Sequence, residues 1–292
     1  MQNDKINLSL IIPIGLMLFS FFFGAGNLIF PPVLGQMAGD NIGWGMLGFC
    51  LSGVGFPLLG VLAMAMKQSD NPDSIAMPMH PLYARAVTIL CALAIGPLFA
   101  IPRPAAVSFD TGIHSLLPAS CEAIGLPVYT VFFFVLTYFF SINPSKIIGH
   151  IGKFLSPMLL ICLAVLVVCV FVNPTGSLKM PNPDFATSPF FRGFQEGYNT
   201  MDLLAAILFG SITIKAIEAQ GITDKKVLTK LCSYAGLIAA FFLAIIYAAL
   251  AYTGALSINV FGVIPNGATL LSKICTYYMG FGGPGVLALI IF

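Results

Sequence analysis

Of 292 residues, 58% are hydrophobic and 8% charged, against about 25% charged in an ordinary soluble domain. A mean hydropathy of +0.97 and several apolar runs of bilayer-crossing length make the chain a polytopic membrane protein. The net charge of +2 comes with no basic run, so nothing points to nucleic acid.

The chain opens with Met1-Gln2-Asn3-Asp4-Lys5-Ile6-Asn7, which lacks the small-residue cleavage site of a signal peptide. The first apolar run, 8–36, is long enough to cross a bilayer as a helix. At mid-run it places Gly24, Gly26 and Asn27, all poor helix formers, and then Pro31 and Pro32, which remove two backbone donors. In hydrocarbon an unpaired peptide group costs several kcal/mol, so irregular backbone at that depth needs protein or a cavity beside it. The sequence therefore predicts a discontinuous first helix.

Further spans are predicted at 42–66, 85–109, 126–142, 151–172, 191–217 and 231–254, with an eighth beginning near 282. With the N-terminus inside, the inner segments carry nine Lys or Arg residues (5, 67, 85, 146, 153, 215, 225, 226 and 230), and the outer ones carry three (179, 192 and 273). That asymmetry is the positive-inside pattern and predicts a cytoplasmic N-terminus. The last run, opening at Gly282-Gly283-Pro284-Gly285, reaches Phe292 in eleven residues, too few to span. Truncation in the eighth helix is the expectation, with a re-entrant segment as the other option.

Internal symmetry is also visible. Leu204–Ile214 contains Phe209-Gly210, which lines up with Phe23-Gly24, with Thr213 opposite Asn27. Five spans separate the two stretches, so they run in opposite directions, as in an inverted repeat. This alignment predicts a second helix break at Phe209-Gly210, with Tyr198 to Asp202 as the second-ranked position.

A helix interrupted at mid-membrane presents amides at one new end and carbonyls at the other. Amides around Ala25 to Leu28 suit a carboxylate, and carbonyls around Ser20 to Phe23 suit sodium or an ammonium group. A glycine packing kink is the plainer alternative.

Phe22-Phe23-Gly24-Ala25-Gly26-Asn27-Leu28-Ile29-Phe30-Pro31-Pro32 resembles the first-helix signature of the bacterial branched-chain amino-acid carriers, the sodium-coupled leucine/isoleucine/valine symporters. Gly53–Gly60, Gly96–Arg103 and Gly197–Asp202 continuing to Phe209-Gly210 agree with it. That family belongs to the amino acid–polyamine–cation superfamily. The resemblance implies an all-α, LeuT-like fold of two inverted five-helix repeats with unwound first and sixth helices. Here they would be a complete repeat in 1–172 and a partial one in 173–292. It further implies sodium-coupled uptake of branched-chain amino acids by alternating access across the cytoplasmic (inner) membrane of a bacterium. The alternatives are a truncated, transport-inactive membrane protein and a proton-coupled permease of the same superfamily. The partners implied are the amino acid, sodium as coupling ion and the lipid bilayer, with no other cofactor.

By the same resemblance Gly24, Ala25, Gly26 and Asn27 would bind the substrate carboxylate, and Phe209, Gly210, Ser211 and Thr213 would line the sixth-helix break. Sodium would be held by the backbone carbonyls of Ser20 and Phe23, with Asn27 nearby. The family's third helix usually reads Pro-Arg-Thr where this chain has Pro102-Arg103-Pro104, and the other half of the sodium site comes from eighth-helix hydroxyls.

Charge within the spans is expensive and functional by default. Arg103 is expected in a gating or structural ion pair, with Asp110 its nearest partner in sequence, and Asp202 is expected to cap a helix or pair with Arg103. Lys215 and Glu218, at i and i+3, are expected to form an exposed pair. Glu196 and Asp202 share no helical face, and His80, His114 and His150 have no metal-ligand spacing. The seven scattered cysteines, without a CxxC, read as small buried hydrophobes. No nucleophile–base pair or phosphate loop is present, so the chain is not expected to be an enzyme.

Overall fold

The computed structural model describes residues 8–113, 122–142, 156–222 and 224–283, with 285 and 287. The expected inner loop Lys146–Lys153, Lys5, Cys121, His114, His150 and most of the run ending at Phe292 lie outside the described residues. Every described regular element is helical.

The first span is two helices, α1 (Leu8–Phe22) and α2 (Ala25–Ala38). The break is confined to Phe23-Gly24: Phe23 N–H still donates to Phe19 O at 2.8 Å, and Gly24 is extended at φ −115°, ψ −174°. Both prolines are carried inside α2. Since neither has an N–H, they leave the carbonyls of Asn27 and Leu28 without their i+4 donors, one turn from the break. The second span comprises α3 (Ile42–Cys50), one wide π-helical turn at Leu51–Gly55, and α4 (Phe56–Lys67).

The third span contains α5 (Pro81–Leu93) and α6 (Pro102–Ser108), interrupted by π-helical turns at Ala94–Leu98 and Phe109–Ile113. Then come α7 (Glu122–Ser141), α8 (Ser156–Val172) and the short α9 (Pro183–Thr187). The sixth span is again broken: α10 (Pro189–Tyr198) and α11 (Asp202–Glu218) meet at 46°. Helix α12 (Lys225–Phe261) follows, at 37 residues far longer than the 231–254 expected. Among the described residues Ala25–Lys67, Pro81–Ile113 and Lys225–Phe261 are long and apolar enough to cross a bilayer, and the bent α10–α11 pair adds a fourth span. The chain is a multi-pass membrane protein.

A helix absent from the sequence reading, α13 (Gly267–Met279), lies against α2. Its N-terminus is capped by Asn266, whose Oδ1 accepts from Ala268 and Thr269 N–H at 2.9 and 3.2 Å. Lys273 and its hydroxyl neighbours made this stretch read as an outer loop.

Packing follows two pairings. Helix α12 runs along both α1 and α2, while α3 lies on α10 and α4 on α11. Lipid tails are as apolar as leucine, so contact between membrane helices depends on close backbone approach at small residues. A Cβ added at Gly35 would collide with Ala251 O, one at Gly254 with Pro32 O, and one at Gly193 with Gly45 O. Around these seams Leu18, Phe19, Phe22, Leu28, Leu34, Tyr247 and Leu250 form one buried cluster.

Candidate functional site

The second break falls at Asn199–Met201, the position ranked second, and not at Phe209-Gly210. Helix α11 is continuous through both of those residues. Local chemistry explains the placement. Thr200 Oγ1 donates to Gly197 O at 2.8 Å, which closes the end of α10. Met201 adopts a left-handed conformation, φ 67°, unusual for a non-glycine residue, and Asp202 begins α11. Gly210 is instead a packing glycine, its added Cβ 3.0 Å from Met64 Cβ on α4. Ser211 and Thr213 hydroxyls donate to Leu208 O and Phe209 O of their own helix at 2.7 and 2.8 Å. Phe209 does reach the first break from the α1 side, its ring 5.4 Å from those of Phe21 and Phe22.

The two breaks meet. Asn27, in the first turn of α2, donates from Nδ2 to Asp202 Oδ2 at 2.7 Å and also to the Tyr247 hydroxyl of α12. Tyr247 O–H donates in turn to Asp202 Oδ2 at 3.3 Å, and Asn27 Oδ1 accepts the Gly24 N–H at 3.1 Å. Each amide hydrogen of Asn27 thus has its own acceptor, and the hydroxyl hydrogen goes to the carboxylate. Asn27, Asp202 and Tyr247 are 2%, 4% and 0% exposed. Burial this deep requires partners for every polar atom. Phe23 and Phe49 wall the network, their rings 6.4 and 5.2 Å from that of Tyr247.

Arg103 approaches the same breaks from α6. Its Nη1 donates to Asn199 O at 3.2 Å, at the C-terminal end of α10, where a cation is favoured. The guanidinium lies 5.3 Å from the Phe30 ring centre, and a Cβ on Gly26 would sit 2.6 Å from its Nη1. The expected ion pairs of Arg103 with Asp110 or Asp202 do not form. Among the described residues the ion pairs are Arg192–Asp184 at 3.3 Å and Lys215–Asp70 at 3.6 Å, both exposed. Lys215 therefore pairs with Asp70 rather than Glu218, because left-handed Gln68 turns the chain after α4 back toward α11.

Of the carboxylate set, Gly24 is exposed at the break, and its amide is held by Asn27. Ala25 and Gly26 are buried first-turn residues of α2, whose amides have no intrahelical acceptor. On the sodium side, α1 ends at Phe22, so its last-turn carbonyls open onto the break. Ser20 lies in that turn with its hydroxyl donating back to Leu16 O at 2.8 Å. Among the described residues no group of three or more His, Cys, Asp or Glu is placed to hold a metal. A separate apolar cavity of about 230 Å³, lined by Ile75, Tyr83, Cys91, Ile207 and Leu208 among others, does not include Asn27, Arg103 or Asp202.

A model of the branched-chain amino acid transport protein family matches residues 7–292. The chain belongs to that family. It is 45% identical over 290 residues to the branched-chain amino acid permease BrnQ of Bacillus subtilis, covering 99% of this chain and 66% of that protein. It is 42% identical over 276 residues to BraB of the same organism, covering 94% and 62%, and 37% identical over 282 residues to BrnQ of Escherichia coli K12, covering 97% and 64%. The chain spans just under two thirds of the length of these curated relatives. They are named permeases, not enzymes, in line with the reading from sequence. No solved structure matches the chain.

Tyr247 and Thr200 were missed from sequence. Tyr247 carries one polar atom in the middle of an apolar span, and a buried tyrosine hydroxyl needs a partner. That was the available signal, though it names no partner. Tyr247→Phe removes one hydroxyl while Asn27 keeps Asp202 as acceptor. The expected loss is about 1 kcal/mol of stability, read as a lower thermal midpoint in detergent.

Proposed function

We propose that this chain carries branched-chain amino acids (leucine, isoleucine and valine) inward across the cytoplasmic membrane by alternating access, coupled to sodium. The observation that supports this most directly is the meeting of two helix breaks inside a multi-pass membrane protein. They are joined by Asn27 and Asp202, and Arg103 bonds the second break at Asn199 O. Irregular backbone at such depth is a feature of transporter sites. The names of the relatives supply the substrate class.

In this reading the carboxylate lies against the amides of Ala25 and Gly26, at the positive end of α2. Phe209, Phe21 and Phe22 close the inner side. Sodium takes the carbonyl end of α1, at Ser20 and Phe23, together with the Asn27 carbonyl that Pro31 leaves without a donor. The packing pattern favours two inverted repeats, 1–172 and 173–292: each broken span lies against the helix that follows the other broken span, α12 on α1–α2 and α3–α4 on α10–α11. The excess of Lys and Arg in alternate loops supports a cytoplasmic N-terminus.

Uptake of labelled leucine into proteoliposomes, with and without a sodium gradient, tests the proposal. Saturable, sodium-stimulated uptake is the expected result. Uptake unchanged when choline replaces sodium would assign the coupling to protons, and uptake restored only by a longer chain would make this one transport-inactive. Gly26→Leu is expected to insert normally yet lose leucine binding. Its side chain fills the carboxylate position and displaces the Arg103 guanidinium, which lies 2.6 Å from where the Cβ would stand.

A further inference from the structure

We propose that the Asp202 carboxylate is the counter-charge for the α-ammonium group of the substrate. The inference rests on the transport reading above and names a residue for the one end of the zwitterion that backbone carbonyls alone would otherwise serve.

Three observations carry it. Asp202 is 96% buried, given its 4% exposure, yet among the described residues no ion pair joins it to a cation. The groups that bond it are all neutral: the amide of Asn27 and the hydroxyls of Tyr247 and Thr200. A carboxyl group buried in a membrane protein is neutralised by a proton or by a cation, since isolated buried charge is expensive, and the substrate ammonium supplies the cation. Second, the opposite charge is close but kept apart. Arg103 donates its hydrogen bond to Asn199 O, three residues before Asp202, and lies over the Phe30 ring rather than against the carboxylate. A cation and an anion brought to the same pair of helix breaks without forming an ion pair complement a zwitterion. Third, the spacing fits. Asn27 Nδ2 is 2.7 Å from Asp202 while its own helix turn presents the Ala25 and Gly26 amides. A carboxylate on those amides places an α-ammonium, one carbon away, on the Asp202 side. The exposed Gly24 leaves an opening at the break between them.

The test crosses the protein with the ligand. Binding of leucine and of 4-methylpentanoate, which is leucine without its amino group, is measured on the purified 292-residue chain and on Asp202→Asn and Asp202→Glu. Wild-type protein is expected to prefer leucine strongly. Asp202→Asn is expected to shrink that preference by at least about 30-fold, the usual size of a lost buried charge contact. Asp202→Glu, which keeps the charge, retains the preference. Equal loss of both ligands in Asp202→Asn would make the residue structural and overturn the assignment. So would an intact leucine preference with only the sodium or pH response lost, because Asp202 would then serve the coupling ion. Should Asp202→Asn fail to fold, Asp202→Glu still decides: loss of its leucine preference in a folded protein overturns the proposal. Failure of wild-type protein to bind leucine would instead overturn the transport reading itself.

Discussion

Asn27→Ala is expected to abolish leucine uptake. The asparagine side chain bonds three partners at once: the Gly24 amide, the Asp202 carboxylate and the Tyr247 hydroxyl. Removing it takes one of three hydrogen-bond partners from a buried carboxylate, leaving Tyr247 and Thr200, and frees the Gly24 amide just before α2. A hydrogen bond to a buried charged group contributes about 1.5–3 kcal/mol, and its loss puts the stability change near 2 kcal/mol, since the exposed Gly24 amide turns to water. Transport should suffer more, falling by about 100-fold or beyond, because the same side chain sets the distance between the two breaks. Uptake assays beside thermal unfolding in detergent separate the two effects. Normal uptake by a folded Asn27→Ala protein would remove the residue from the site.

Gly35→Val should be the most destabilising of the packing changes. The α2–α12 seam brings Gly35 against Ala251 O so closely that any Cβ overlaps the carbonyl, and Gly254 makes the reciprocal approach to Pro32 O. A valine there forces the helices apart and loosens both contacts. Overpacking typically costs about 1–3 kcal/mol, and this variant belongs at or above the top of that range. Gly43→Ala is the control: nothing lies within 4 Å of its added Cβ, and alanine is the better helix former. Its thermal midpoint should stay level or rise. A Gly35→Val protein as stable as wild type would mean that the seam is looser than it is drawn.

The first break was legible because Gly24, Gly26 and Asn27 stand together in an apolar run, where each weakens a helix and nothing else accounts for them. Spans were legible for the same reason of length and apolarity. The second break was misplaced because a glycine among leucines and isoleucines has two uses in a membrane helix. Phe209-Gly210 resembled Phe23-Gly24, but Gly210 serves close packing against Met64. The real break at Asn199–Met201 is made by a threonine that closes one helix and an aspartate that opens the next, a pattern that is commonplace at helix ends in loops. What sequence could not supply was the pairing. Asn27 and Asp202 are 175 positions apart, and Asn27 and Tyr247 are 220 apart. A pairing of Arg103 with Asp110 or Asp202 was among the expectations, whereas the fold sets Arg103 on Asn199 O and the Phe30 ring.

Helix α12 works as a splint. It packs against α1 where Gly15 meets Ile238 and against α2 where Gly35 meets Ala251, so one continuous helix bridges the gap between α1 and α2. The opposite seam is jointed. There the bend at Asn199–Met201 lies beside the wide turn at Leu51–Gly55, with Ser52 Oγ donating to Phe194 O at 2.7 Å, so two articulations are aligned at one level. The protein is therefore built asymmetrically: its two irregular turns face each other on one seam, and the other seam is bridged by a continuous helix.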